Sequence, residues 1–238
     1  MTTDSLQLDG AAAGRLLAFA ALLLAAGCVV EADPAAPTEV EIEAVEMRPD
    51  HIWPPRIGER YPNLRLLNAH GERVALDSLA GKVILVEPIG MDCPACNAFA
   101  GGNRPGASGF QGVQPQGGLP SIEELLDSYA GGISLSDDRI ALVHLLLYRP
   151  GRDGPPKLET ARLWAKHFGI EESEDTLVLV GESYLIGPAS YNMIPGFQLI
   201  DSDFVLRFDA SGHHPKHDLW RELLPAVPSL IDEVSSIR

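Results

Sequence analysis

The chain has 238 residues, 45% of them hydrophobic, which suits one core-forming domain with appendages rather than two full domains. Lys and Arg number 18 against 33 Asp and Glu, a formal net charge of −15. Such an acidic surface excludes a basic-patch binder of nucleic acid or anionic headgroups, and its plain consequence is solubility.

In chain order, residues 16–26 read LLAFAALLLAA, an apolar run of signal-peptide length that is short for a bilayer span. Leu24-Ala25-Ala26-Gly27-Cys28 resembles a bacterial lipobox. That resemblance implies cleavage before Cys28 and lipid attachment to its sulfur. Residues 1–27 are therefore expected to be a lipoprotein-type signal peptide; an uncleaved anchor and a plain signal peptide are the alternatives. Export would leave the chain lipid-anchored to a membrane and facing the periplasm or cell exterior, where disulfides persist. Residues 28–55 are acidic and interrupted by proline, an extended linker in which only Val40-Glu41-Ile42-Glu43 alternates like a short edge strand.

The folded domain is expected over 56–238. Residues 63–67 and 73–76 read as short strands around the turn Ala69-His70-Gly71-Glu72. Val83-Ile84-Leu85-Val86 is a buried strand that carries the acid Glu87 and is expected to break at Pro88 and Gly90. It delivers Cys93-Pro94-Ala95-Cys96. With Cys28 removed by lipidation, these are the last two of three cysteines, and the loop they can close is too small to staple a fold. Thiols at i and i+3 where a strand meets a helix can form a small disulfide ring. At the helix start, backbone N–H groups and the helix dipole favour a thiolate on Cys93.

Residues 101–118 are glycine-rich, either a floppy surface insertion or a lid or docking loop beside the cysteines. Ser121-Ile122-Glu123-Glu124 is a capping box that opens a helix to Ala130. IALVHLLLY at 140–148 is a central strand buried on both faces, with His144 read as a hydrogen-bonded core histidine. Leu158, Ala161, Trp164, Ala165 and Phe168 share a helical face that Gly169 ends. Further strands are expected at 176–180, 196–200 and 204–208, the last two forming a hairpin. A final helix over 218–234 is expected to be broken by Pro225 and Pro228. The order of elements predicts an α/β domain with a mixed sheet.

Over roughly residues 55–238 this pattern resembles the thioredoxin superfamily, in its membrane-tethered TlpA/ResA-like branch. Three features carry the resemblance: the Cys93–Cys96 motif at the end of a buried strand, Ile194-Pro195 at the start of the late hairpin, and Glu87 six residues before Cys93. It implies a thioredoxin-like mixed sheet flanked by helices, with the glycine-rich segment inserted after the motif. It also implies a thiol–disulfide oxidoreductase acting on protein thiols and disulfides, without a cofactor. Cys93 would attack and Cys96 would resolve the mixed disulfide. Glu87, if buried, would have a raised pKa and take the proton of Cys96; otherwise it is a half-exposed acid at a strand end. Pro195 would be cis and face the sulfurs. Relatives often carry Trp before the first cysteine where this chain has Met91-Asp92, and the Asp92 carboxylate is expected to raise the Cys93 pKa.

Two other readings stay open. Gly90-Met91-Asp92-Cys93-Pro94-Ala95-Cys96 also resembles a soft-metal loop, and Sco-like copper chaperones share the thioredoxin fold. Copper would then take Cys93, Cys96 and Met91. A non-catalytic binding lipoprotein is the other. His213-His214-Pro215-Lys216-His217 is read as a solvated turn, since proline splits the set.

Overall fold

Two apolar runs form the centre of the sheet, because neither offers a polar face that could stand in water. In the computed structural model, which describes residues 53–237, these are β3 (Val83–Gly90) and β4 (Ile140–Tyr148), every residue of both buried. The expected signal peptide, Cys28, the Val40–Glu43 strand and the linker up to residue 52 lie outside the described residues. β3 and β4 pair in parallel, so the chain between them must cross over one face of the sheet. That crossover holds the cysteine motif.

The remaining strands are β1 (Arg65–Asn68), β2 (Arg73–Ala75), β5 (Thr176–Val180), β6 (Gly196–Ile200) and β7 (Leu206–Ser211). They give one seven-stranded sheet in the order β2-β1-β5-β4-β3-β6-β7. β5 is parallel to β4; β6 runs antiparallel to β3, and β7 antiparallel to β6. The helices are α1 (Pro94–Asn97), α2 (Ile122–Tyr129), α3 (Leu158–Phe168), α4 (Pro188–Tyr191) and α5 (Leu224–Ile237). α3 bridges β4 and β5, and α5 packs on β3 and α2. This is a thioredoxin-like α/β fold: the motif strand is flanked by a parallel partner and by an antiparallel hairpin. Among the described residues no helix is long and apolar enough to cross a membrane.

Helix ends follow the local chemistry. Ser121 caps α2 while Glu124 returns to the Ser121 N–H at 2.7 Å, a complete capping box. Gly169 ends α3 at φ 67°, a left-handed conformation that glycine adopts without steric cost.

Three expectations about where elements end fail. β3 does not break at Pro88 or Gly90. β6 lies opposite only Ile84 to Val86, so a proline beyond that point removes no ladder bond on the β6 side. β7 starts at Leu206 rather than 204, because the Asp201 carboxylate accepts the Asp203 and Val205 N–H groups and holds them in a turn. The final helix is not broken: a π-type turn at Leu219–Leu223 leads into α5, which runs through Pro228. Leu223, Leu224, Val227, Leu230, Ile231 and Val234 are all buried on this helix, and that packing outweighs the lost backbone bond.

Candidate functional site

β3 ends with a bulge between Ile89 and Gly90, and a tight turn then presents Cys93 as the N-cap of α1. Proline suits the first helical position, where an N–H would lack a partner anyway, so Pro94 starts the helix one residue after Cys93. The Cys93 sulfur accepts the Cys96 backbone N–H at 3.4 Å. The two thiols are free in this structure. Cys93 keeps 6% exposure and Cys96 none.

Their ionisation separates accordingly. The hydrogen bond from the Cys96 thiol, helped by the Cys96 and Ala95 N–H groups, holds Cys93 below the ordinary thiol range against the cost of burial. Burial pushes Cys96 well above that range, and neighbouring Cys93 adds to the rise. Of the two sulfurs, Cys93 is therefore the one on which the thiolate is favoured.

The expected penalty from Asp92 is absent. Arg152 Nε lies 2.9 and 3.1 Å from the two Asp92 oxygens, so the carboxylate is neutralised by its own cation. Arg152 also donates to the Tyr191 hydroxyl and sits 5.3 Å above that ring. The acid that does disfavour the Cys93 thiolate is Glu87, beneath the motif.

Glu87 is fully buried, so the half-exposed alternative is excluded. Its partner is His144, whose Nδ1 lies 3.1 Å from Glu87 Oε2; Glu87 Oε1 has no hydrogen bond. Burial raises the Glu87 pKa, and the His144 contact only partly offsets the rise. The pairing follows from register. The fifth residue of β3 is Glu87 and the fifth of β4 is His144, and in-register parallel pairing sets the two opposite each other.

The Ile194–Pro195 peptide is cis, and Pro195 lines a cavity of about 140 Å³ together with Cys93, Tyr148, Arg152, Tyr191 and His213. His213 thus borders the same cavity as Cys93 although its own cluster reads as a solvated turn. Met91 is fully buried, and the Met193 sulfur accepts from Gln198 Nε2 at 3.6 Å. Among the described residues no three His, Cys, Asp or Glu side chains are grouped to hold a metal ion.

Asn97 organises the back of the motif. Its Nδ2 donates to the carbonyls of Met91 (3.1 Å) and Cys93 (2.8 Å), and its Oδ1 accepts the Phe110 N–H at 2.7 Å. The glycine-rich segment is consequently a packed cover rather than a floppy insertion. Phe110 is buried against Trp164, with ring centroids 5.4 Å apart, and the Gln116 N–H donates to the Pro94 carbonyl at 2.9 Å. A Cβ at Gly109 would lie 1.9 Å from the Val113 carbonyl oxygen, so the glycine is needed for close backbone approach. Asn97, Arg152 and His213 carry no motif that would mark them in the sequence.

No family model matches the chain, and no curated protein matches it. Solved structures do. The thioredoxin domain of a thiol-disulfide oxidoreductase from Bacteroides vulgatus is 15% identical over 72% of this chain and 98% of its own, with a TM-score of 0.42. A thiol:disulfide interchange protein of the thioredoxin family from Chlorobium tepidum TLS is 16% identical over 72% and 95%, with a TM-score of 0.39. BsSco, a member of the Sco family of cytochrome c oxidase assembly proteins, is 14% identical over 74% and 92%, with a TM-score of 0.41.

Proposed function

We propose that the chain is a thiol–disulfide oxidoreductase of protein substrates, exported and held at a membrane through a lipid on Cys28. The observation that carries the redox reading is the placement of the two sulfurs: Cys93 caps a helix beside a cavity and accepts the Cys96 N–H, and Cys96 is fully buried behind it. The export reading rests on the apolar leader and the Leu24–Cys28 segment.

In the reducing direction the Cys93 thiolate attacks a partner disulfide, forming a mixed disulfide and releasing one partner sulfur. Cys96 then loses its proton towards Glu87 and attacks the Cys93 sulfur. The second partner sulfur leaves, and two electrons have passed from the dithiol to the partner. A thiol donor restores the dithiol; the reverse sequence oxidises a partner. Arg152 keeps Asp92 from opposing the thiolate, and the cavity beside Pro195 admits the partner segment.

The test follows reduction of a disulfide-bonded protein such as insulin by the full chain. Cys93→Ser should abolish exchange, and Cys96→Ser should accumulate a mixed disulfide visible on a non-reducing gel. Equal turnover by wild type and Cys93→Ser would end this reading.

A further inference from the structure

The cavity beside Cys93 is not the only route from solvent towards the buried machinery. A second one, of about 230 Å³, is lined by the buried His144, Leu142 and Phe168. Exposed Glu123 and Glu171 and half-buried Arg104 stand at its rim. No residue lines both cavities. At roughly 30 Å³ per water, the second has room for a short water chain.

We propose that Glu87 and His144 form a proton wire that connects Cys96 to water in this second cavity. The proposal rests on the redox reading above and adds the path by which its proton leaves. Glu87 Oε1, free of any hydrogen bond, is the oxygen left for the Cys96 proton, and Oε2 faces His144 Nδ1. Nδ1 is thereby occupied, leaving Nε2 for the cavity that His144 lines. The charged and titratable groups around the wire are Cys93 and Cys96 above Glu87, with the Arg104–Glu123 ion pair and Glu171 at the rim.

The step balances as follows. The wire's starting arrangement has one proton between Glu87 Oε2 and His144 Nδ1 and another on Nε2. As Cys96 attacks Cys93, its S–H proton moves to Oε1, the Oε2 proton moves to Nδ1, and the Nε2 proton moves to cavity water. The Cys93–partner S–S bond breaks, and its electron pair leaves on the partner sulfur. When a thiol donor later reduces the disulfide, the same transfers run backwards and return a proton to Cys96. Each half-cycle resets the wire for the other.

The experiment uses dithiobis(nitrobenzoate), which reports the two sulfurs separately: attack by Cys93 releases the first coloured thiolate, and resolution by Cys96 the second. For His144→Ala the first phase should match wild type, and the second should slow at least about tenfold at neutral pH. Added imidazole, which can enter from the cavity, should restore much of the loss. Thr176→Phe, a half-buried lining residue on β5, should fill the cavity and slow the second phase with Glu87 and His144 intact. An unchanged second phase in His144→Ala overturns the wire. So does a slowed phase that imidazole fails to restore while Thr176→Phe behaves as wild type, since His144 then merely positions Glu87. If His144→Ala does not fold, Thr176→Phe decides alone. Absence of both phases in wild type would instead remove the redox reading.

Discussion

At the scale of single residues, the site depends on charges that are cancelled locally. Asp92 stands next to Cys93, and an unpaired carboxylate there would favour the thiol over the thiolate. Arg152 reaches it from a loop sixty positions away in the chain. The same guanidinium lies within electrostatic range of Cys93, which contributes to raising the Arg152 pKa. Arg152→Ala should therefore remove a favourable charge and expose an unfavourable one. Alkylation of Cys93 by iodoacetamide at neutral pH should slow by roughly three- to tenfold. The difference should vanish at a pH high enough to ionise the thiol in both proteins. Equal rates at neutral pH would mean that solvent already screens Asp92.

At the scale of elements, the motif is held from behind. Asn97 satisfies two carbonyls of the motif turn and one amide of the covering segment, all through one buried side chain. Asn97→Ala would leave the Met91 carbonyl and the Phe110 N–H without partners, while the Cys93 carbonyl keeps the backbone N–H of residue 97, a cost of about 2 kcal/mol, or roughly 4–8 °C in Tm for a domain of this size. Thermal unfolding followed by circular dichroism measures it. A loss under about 1 kcal/mol would show that water takes over the freed groups. The elements themselves were legible where one local signal sufficed: β4 and β5 have the expected bounds, and the Ser121 capping box forms as read. Pro88 misled because its tolerance depends on how far β6 extends, which is a property of another strand. The motif, Glu87 and Pro195 could be found in sequence because their spacing is local or resembles a family's. Asn97, Arg152 and His213 could not, since each acts across a fold-dependent distance. Glu87 and His144 lie between these cases. Both stood out as lone polar residues in apolar runs, and only the register brought them together.

At the scale of the whole molecule, the buried acid links stability to pH. The folded pKa of Glu87 lies above its unfolded value, so the folded state binds more protons in the window between the two. Its contribution is fully present below the ordinary carboxylate range and is lost as pH rises towards the folded pKa. The steepest slope is about 1.4 kcal/mol per pH unit. In urea titrations across a pH series, Glu87→Gln should lack this fall, so wild type should lose ground to the variant as pH rises through the window. A constant difference between the two proteins would show that Glu87 does not titrate between the folded and unfolded states in that range.

The separation of the two cavities has a further consequence for docking. A partner that settles over Cys93 covers Tyr148, Arg152, Tyr191 and Pro195, and none of these borders the opening beneath His144. The seal at the sulfurs can then be as dry as recognition demands, because the second opening stays uncovered whichever partner is aboard. Sulfur and hydrogen ions would use separate doors.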